Sequence, residues 1–172
     1  MATFKNSEKC GSVTYLYFTG GFRAVLDSVD WDRVKIRRWR VNKAGGGLAY
    51  VAGTRRLPNG EPRTEFLHTV LTGWPRVDHH DGNGLNNCRK NLRPCSGSTN
   101  AQNQKPQSRS GKHSRFKGVT KNPLKPSCWV ARIRVHGKLI YLGSFQGEIE
   151  AAKAYNLAAK KHFNDFARLN EF

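Results

Sequence analysis

Apolar and polar positions alternate through Val13-Thr14-Tyr15-Leu16-Tyr17-Phe18, which predicts a strand, and Gly20-Gly21 predicts a turn into a partner from Phe22 to Leu26. Asp30 is suited to cap a short helix over Trp31 to Arg38, with Trp31 and Val34 on one face. Arg40 to Asn42 and Leu48 to Ala52 read as further strands around Gly45-Gly46-Gly47. Glu65 to Thr72 reads as a short helix with Phe66, Val70 and Leu67 as candidates for burial. The alternation resumes in Phe116-Lys117-Gly118-Val119 and in Trp129 to Arg134, and His136-Gly137 turns the chain into Leu139-Ile140-Tyr141-Leu142. Glu148 to Phe163 has a helical period: Ile149, Ala152, Tyr155, Ala159 and Phe163 share a face, with Ala158 beside it. Acids stand at its start and Lys160 and Lys161 at its end, as the helix dipole favours. Its alanines allow close approach to a three-stranded sheet.

Gln102 to Ser114 holds no large apolar residue and cannot build a core. The expected class is therefore α+β in four segments: a β-rich part over 1–64, a small core over 65–103, a basic linker over 104–113 and a second domain over 114–172.

Charge narrows the function. The 172 residues include 30 Lys plus Arg against 12 Asp plus Glu, a formal net charge of +18. Such an excess calls for a polyanionic partner, nucleic acid before membrane. Between Asp81 and Glu148 there is no acid at all, while thirteen Lys and Arg occur there, which makes this stretch a candidate phosphate track. No segment is apolar enough to span a bilayer, and Met1 to Glu8 has no signal-peptide core, so the expectation is a soluble, cytoplasmic protein. Cys10, Cys88, Cys95 and Cys128 form no Cys-x-x-Cys pair, which argues for reduced thiols and against structural zinc.

The stretch with the densest chemistry is 77–103. Val77-Asp78-His79 ends a strand, Asp81-Gly82-Asn83-Gly84 favours a tight hairpin turn, and Asn91-Leu92-Arg93 forms a second short segment. Ser96, Ser98 and Thr99 offer caps to a helix that carries Asn100 and Asn103 on one face. A hairpin followed by a helix would let Asp78, His79 and Asn100 converge.

Val77-Asp78-His79, Asp81-Gly82, Asn86-Asn87, Asn91-Leu92-Arg93 and Asn100-x-x-Asn103, in that order, resemble the HNH nucleases, and most of all the homing and nicking endonucleases of phages, in which Asn replaces the last His. The resemblance implies a ββα-metal fold with one divalent ion between hairpin and helix. Residues 114–170 resemble the plant ethylene-response-factor, or Apetala-type, DNA-binding domain. Phe116 to Val119, Trp129-x-Ala131-x-Ile133, Tyr141 to Phe145, Glu150-Ala151-Ala152-x-Ala154-Tyr155 and Ala167-x-Leu169-Asn170 carry this second likeness. It implies a sheet laid in the DNA major groove, with contacts from Lys117, Thr120, Arg132, Arg134 and Tyr141. Thr120 and Leu139 stand where many plant members have Arg, so the target sequence does not carry over. Alternation supports the same surface independently: Trp129, Ala131 and Ile133 point one way, Val130, Arg132 and Arg134 the other.

Phosphodiester hydrolysis needs an activated water, a neutralised phosphate and a stabilised leaving oxygen. The expected roles are His79 as general base and Asp78 and Asn100 as oxygen ligands of one Mg²⁺ or Mn²⁺, since hard ions favour oxygen donors. Asn91 is expected to brace the hairpin within the catalytic motif. Asp81 shapes the turn or joins the metal. His80 competes with His79, because strand alternation would put His80 on the Asp78 face, whereas the family's register selects His79. His68 reads as a partly buried, hydrogen-bonded histidine or, as in the family, a group that orients phosphate. Arg93, Lys105 and Lys112 join the expected DNA contacts. The expected protein is a monomeric, metal-dependent, site-directed endonuclease acting on double-stranded DNA, in a bacterial host if phage-encoded. The other reading is a non-catalytic DNA-binding regulator with a relic nuclease core.

Overall fold

A computed structural model describes residues 2–103 and 114–172, without the side chains of Ser98 and Ala101; the 104–113 linker, with Lys105 and Lys112, lies outside the described residues. The chain is α+β, with antiparallel sheets and a helix near its C-terminus. It divides into two compact units, Met1–Cys95 and Ser96–Phe172, so the 65–103 segment contributes to both.

The first unit is built on a six-stranded antiparallel sheet. Its strands are β1 (Ala2–Cys10), β2 (Val13–Phe18), β3 (Arg23–Asp27), β4 (Trp39–Lys43), β5 (Ala49–Arg56) and β6 (Pro62–Phe66), in the order β3-β2-β1-β4-β5-β6. The alternation in β2 and β3 has its physical result here: Leu16, Phe18, Ala24 and Leu26 are buried and join Val34, Trp39, Val41, Val51, Leu67 and Leu71 in one core. Two strands had no hydrophobic signature. β1 is mostly exposed, and it is held by backbone pairing to β2 on one side and β4 on the other. β6 is an edge strand that begins at a proline, where no ladder bond needs its missing N–H; its Glu65 pairs with Arg37 and Arg55.

Both short helices differ from the sequence reading. Helix α1 (Ser28–Val34) starts earlier than Trp31, with Asp27 at its N-cap position, so Asp30 lies inside it. Helix α2 (Leu67–Thr72) starts after Glu65, because Pro62–Phe66 pairs with β5; it buries Leu67, His68 and Leu71 and leaves Phe66 and Val70 half-buried. Gly73 ends it in the left-handed conformation and donates its N–H to Thr69 O. The unit closes with β7 (Val77–His79) paired to β8 (Leu92–Pro94).

The second unit begins with helix α3 (Gly97–Asn103), whose entry is fixed by Ser96 and Thr99: each backbone N–H donates to the other's hydroxyl. A three-stranded sheet follows, with β9 (Val119–Lys121) and β11 (Lys138–Phe145) flanking β10 (Trp129–Val135). Helix α4 (Glu148–Phe163) covers the face that presents Ala131 and Ile133, and buries Ala151, Ala152, Tyr155, Ala159 and Phe163. Ile149, expected on that face, is 45% exposed; Ala151 takes its place, because a small side chain lets the helix start close to the sheet. The chain end is tied back by Asn170, whose amide bonds both the N–H and the carbonyl of Lys117.

Gly118 has φ +76°, and a Cβ there would collide with the Tyr155 ring and the Arg132 carbonyl. Gly118→Ala therefore meets both backbone strain and overpacking, and is expected to lower stability by about 1–3 kcal/mol in denaturant melts. An unchanged midpoint would show that α4 does not press on this turn.

Candidate active site

The β7–β8 pairing sets Asp78 opposite Arg93 and His79 opposite Leu92. Arg93 donates to Asp78 Oδ2 from Nε at 2.8 Å, with its NH2 2.7 Å away, so the buried carboxylate faces a guanidinium.

The connection between the strands is not a tight turn. It runs from His80 to Asn91, and its polar side chains organise it. Asp81 Oδ1 accepts the Asn83 N–H at 2.8 Å and Asn91 Nδ2 at 3.0 Å, and Oδ2 accepts Asn86 Nδ2 at 2.8 Å. Asn91 Oδ1 accepts the Asp81 N–H, and its Nδ2 also donates to the Asn86 carbonyl. Loss of water around Asp81 tends to raise its pKa, but the bonds from Asn83, Asn86 and Asn91, with His79 nearby, hold it below its ordinary value. Asp81 and Asn91 thus knit the loop, each with both side-chain polar atoms engaged.

The loop is long because its middle docks on the sheet. Val25, on edge strand β3, donates to Leu85 O at 2.9 Å and accepts from the Asn87 N–H at 2.7 Å. Asp30, 1% exposed, receives a bidentate grip from Arg89, Nε at 2.7 Å and NH2 at 2.6 Å, and a third bond from Arg33. Asp27 accepts the Arg89 backbone N–H. Gly84 lies so close to the Tyr50 ring and the Ala49 carbonyl that no Cβ fits.

This docking presses His79 into an aromatic wall. Its ring is 5.0 Å from His68, edge-on, and 5.8 Å from Tyr50, while His68 stacks on Phe66 at 5.3 Å. Burial pushes the His68 pKa down to about 4, with a smaller push from His79. Burial also lowers the His79 pKa, against Asn87, Asp81 and Asp78, which raise it. Both imidazoles are therefore neutral at pH 7, and a neutral imidazole can take a proton. His80 is exposed, its N–H bonded to Asn91 O.

The hairpin thus brings together Asp78, His79, Asn91 and Arg93. Asn100 is exposed on α3, in the second unit, and Asn103 beside it is buried. Among the described residues, no three His, Cys, Asp or Glu side chains gather as a metal cluster. In the second unit, Arg132 and Arg134 are exposed opposite Tyr141 and Leu139, themselves 60% and 56% exposed, and Thr120 is half-buried. Lys117 turns inward: its ammonium donates to Gln102 O, and burial, then Arg168, lowers its pKa to about 8. Sequence reasoning missed Tyr50 and the Asp30–Arg89 pair. Both act through contacts distant in sequence, and Asp30 had the local signature of a cap.

No family model matches the chain. It is 28% identical over 168 residues, 93% of its length, to an uncharacterised HNH endonuclease of Acanthamoeba polyphaga mimivirus, of which the match covers 82%. This distant likeness supports a nuclease of HNH type.

His68 yields a pH prediction. Its folded pKa lies below the unfolded value, so its contribution to stability is complete above about pH 6.5 and is lost as pH falls toward 4. The loss is expected to be on the order of 3 kcal/mol, read as a fall in urea midpoint between pH 7 and pH 4 that His68→Phe reduces. Equal pH dependence in both proteins would remove His68 as its source.

Proposed function

We propose that the chain is a metal-dependent, site-directed endonuclease that hydrolyses phosphodiester bonds in double-stranded DNA, of the HNH homing or nicking type. The observation that carries this reading is a buried imidazole, His79, directly following a buried carboxylate, Asp78, on a hairpin braced by Asn91.

His79, held neutral by burial, takes the proton of the attacking water. The ring is wedged against His68 and Tyr50, so its approach to water is fixed in advance. Asp78 would offer a carboxylate oxygen to one Mg²⁺ or Mn²⁺, a donor that suits a hard cation. When bound, the ion neutralises phosphate charge and stabilises the leaving oxygen. Arg93, paired with Asp78, places a cation beside the same carboxylate and contacts the DNA backbone.

The second unit reads the duplex. Arg132, Arg134 and Tyr141 stand on one exposed sheet face, and the opposite face is closed by α4. An arginine there can grip guanine O6 and N7, which adds base preference to a chain of net charge +18. Lys105, Lys112 and Thr120 complete the proposed contacts, and Lys117, whose ammonium turns inward to Gln102 O, is left out of them. A single chain carries one such site, which fits nicking by a monomer.

His79→Ala is expected to slow Mg²⁺-dependent plasmid nicking by ~10²–10⁴ while leaving DNA affinity nearly unchanged. Near-normal cutting by His79→Ala alongside a dead His80→Ala would assign the base to His80 instead. Arg132→Ala or Arg134→Ala should cost ~1–3 kcal/mol in binding to the preferred site and little to random duplex, measured by competition binding. Equal loss on both DNAs would make these residues phosphate contacts only.

A further inference from the structure

Strands β4, β5 and β6 carry different charge arrangements on their two faces. One face turns Trp39, Val41 and Val51 into the core, and further along it bears Glu65, set opposite Gly53. Glu65 is the single acid in these three strands, and Arg37 and Arg55 both pair with it. Two cations of that face are therefore neutralised in place. The register puts Arg40, Tyr50, Thr54, Thr64 and Phe66 on the other face. The contacts agree with the register. The Tyr50 and Phe66 rings are 5.9 Å apart, and Arg40 reaches from β4 to donate to Thr54 Oγ1 on β5 at 2.9 Å and Thr64 Oγ1 on β6 at 3.4 Å. Arg40 meets no carboxylate among the described residues. A guanidinium carries more N–H donors than two hydroxyls take up, so the head keeps donors for a further acceptor. Arg40 is half-buried while both threonines are exposed, which places a fixed cation at the surface. This face leads to the candidate site. Tyr50 lies 5.8 Å from the His79 ring, and Phe66 stacks on His68. Thr64 is one row of side chains beyond Phe66, and Thr54 two rows beyond Tyr50, about 13 Å along the strand.

We propose that Arg40, braced by Thr54 and Thr64, seats a backbone phosphate of duplex DNA on the first unit and so sets where a strand lies relative to His79. The identity of the partner rests on the nuclease reading above; the face and its braced arginine do not. A planar guanidinium with spare donors, flanked by hydroxyls, matches the oxygens of a phosphodiester. The net charge of +18 supplies the general attraction to such a polyanion. Holding the guanidinium beforehand removes part of the rotamer entropy that an unbraced arginine loses on binding. A backbone contact adds affinity and placement without base preference, which is a different task from that of Arg132 and Arg134.

The test measures duplex binding by the full-length chain in EDTA, by fluorescence anisotropy over a series of salt concentrations, so that cleavage does not enter the readout. Arg40→Met keeps the aliphatic stem and removes the charge. It should weaken binding about 10-fold, alike on preferred and random duplex, and flatten the dependence of log affinity on log salt by about one unit. Thr54→Val combined with Thr64→Val keeps the β-branched shape and the Arg40 charge. The salt slope should then hold while affinity falls about 2–5-fold. Arg40→Lys keeps the charge without the planar fork and should behave as the valine pair does, which covers the case of an Arg40→Met that does not fold. Arg63→Met, on the face of Glu65, removes the same charge and should change neither quantity. Equal losses in Arg40→Met and Arg63→Met would reduce the effect to net charge and overturn the seat. Wild-type affinity in Arg40→Lys or in the valine pair would overturn the bracing. Should the Arg40 variants behave as expected while the wild type cuts no DNA in Mg²⁺, the nuclease reading fails and the seat stands. Should the wild type cut DNA while Arg40→Met binds and cuts as well as it does, the seat fails and the nuclease reading stands.

Discussion

The candidate site depends on the docking of a loop against the open edge of a sheet. Strand β3 has β2 on one side, and on its other side Val25 pairs with the backbone of Leu85 and Asn87. An edge strand carries unpaired donors and acceptors that must be met or protected. Here the loop between β7 and β8 meets them, and Arg89 secures the arrangement by reaching the buried Asp30. A lone Asp in that position would be costly to bury; the bidentate Arg and the third bond from Arg33 hold its carboxyl below the usual range.

From this anchor the electrostatics of the site follow. The docked loop seals His79 under Tyr50 and against His68, so desolvation outweighs the carboxylates around it and the ring stays neutral. Asp78 next to it keeps its charge company through Arg93. One short hairpin thereby sets a neutral proton acceptor beside an ion-paired carboxylate, two environments adjacent in sequence and different in character. In the proposed nuclease, that contrast would serve acid–base chemistry at a phosphodiester.

Much of this was legible in the chain. The period of β2 and α4 is strong because each buries one face, and the helix over Glu148 to Phe163 falls where its apolar and alanine spacing places it; β10 alternates from Ala131 onward, whereas Val130, expected on the outward face with the arginines, is buried. β1 was not legible, since a strand exposed along most of its length carries no alternation, and its pairing resides in the backbone. The Asp81-Gly82-Asn83-Gly84 turn suggested a tight hairpin; the loop is longer because β3 takes up its middle, a partner some sixty residues away in the chain that no local pattern encodes. For the same reason Asp30 read as a cap. The Asp78-His79 pair and the exposed Arg132 and Arg134 were visible because their chemistry is local: neighbouring residues on a strand.

The central claim is that this chain hydrolyses DNA with the help of a divalent ion. The direct measurement incubates the wild-type protein with end-labelled duplex in Mg²⁺, in Mn²⁺ and in EDTA, and resolves the products on a denaturing gel. The account predicts strand cleavage at a preferred position in the divalent ions, with a 3′-hydroxyl end, and none in EDTA. Tight duplex binding without cleavage in either ion would contradict it, and would make the chain a DNA-binding regulator.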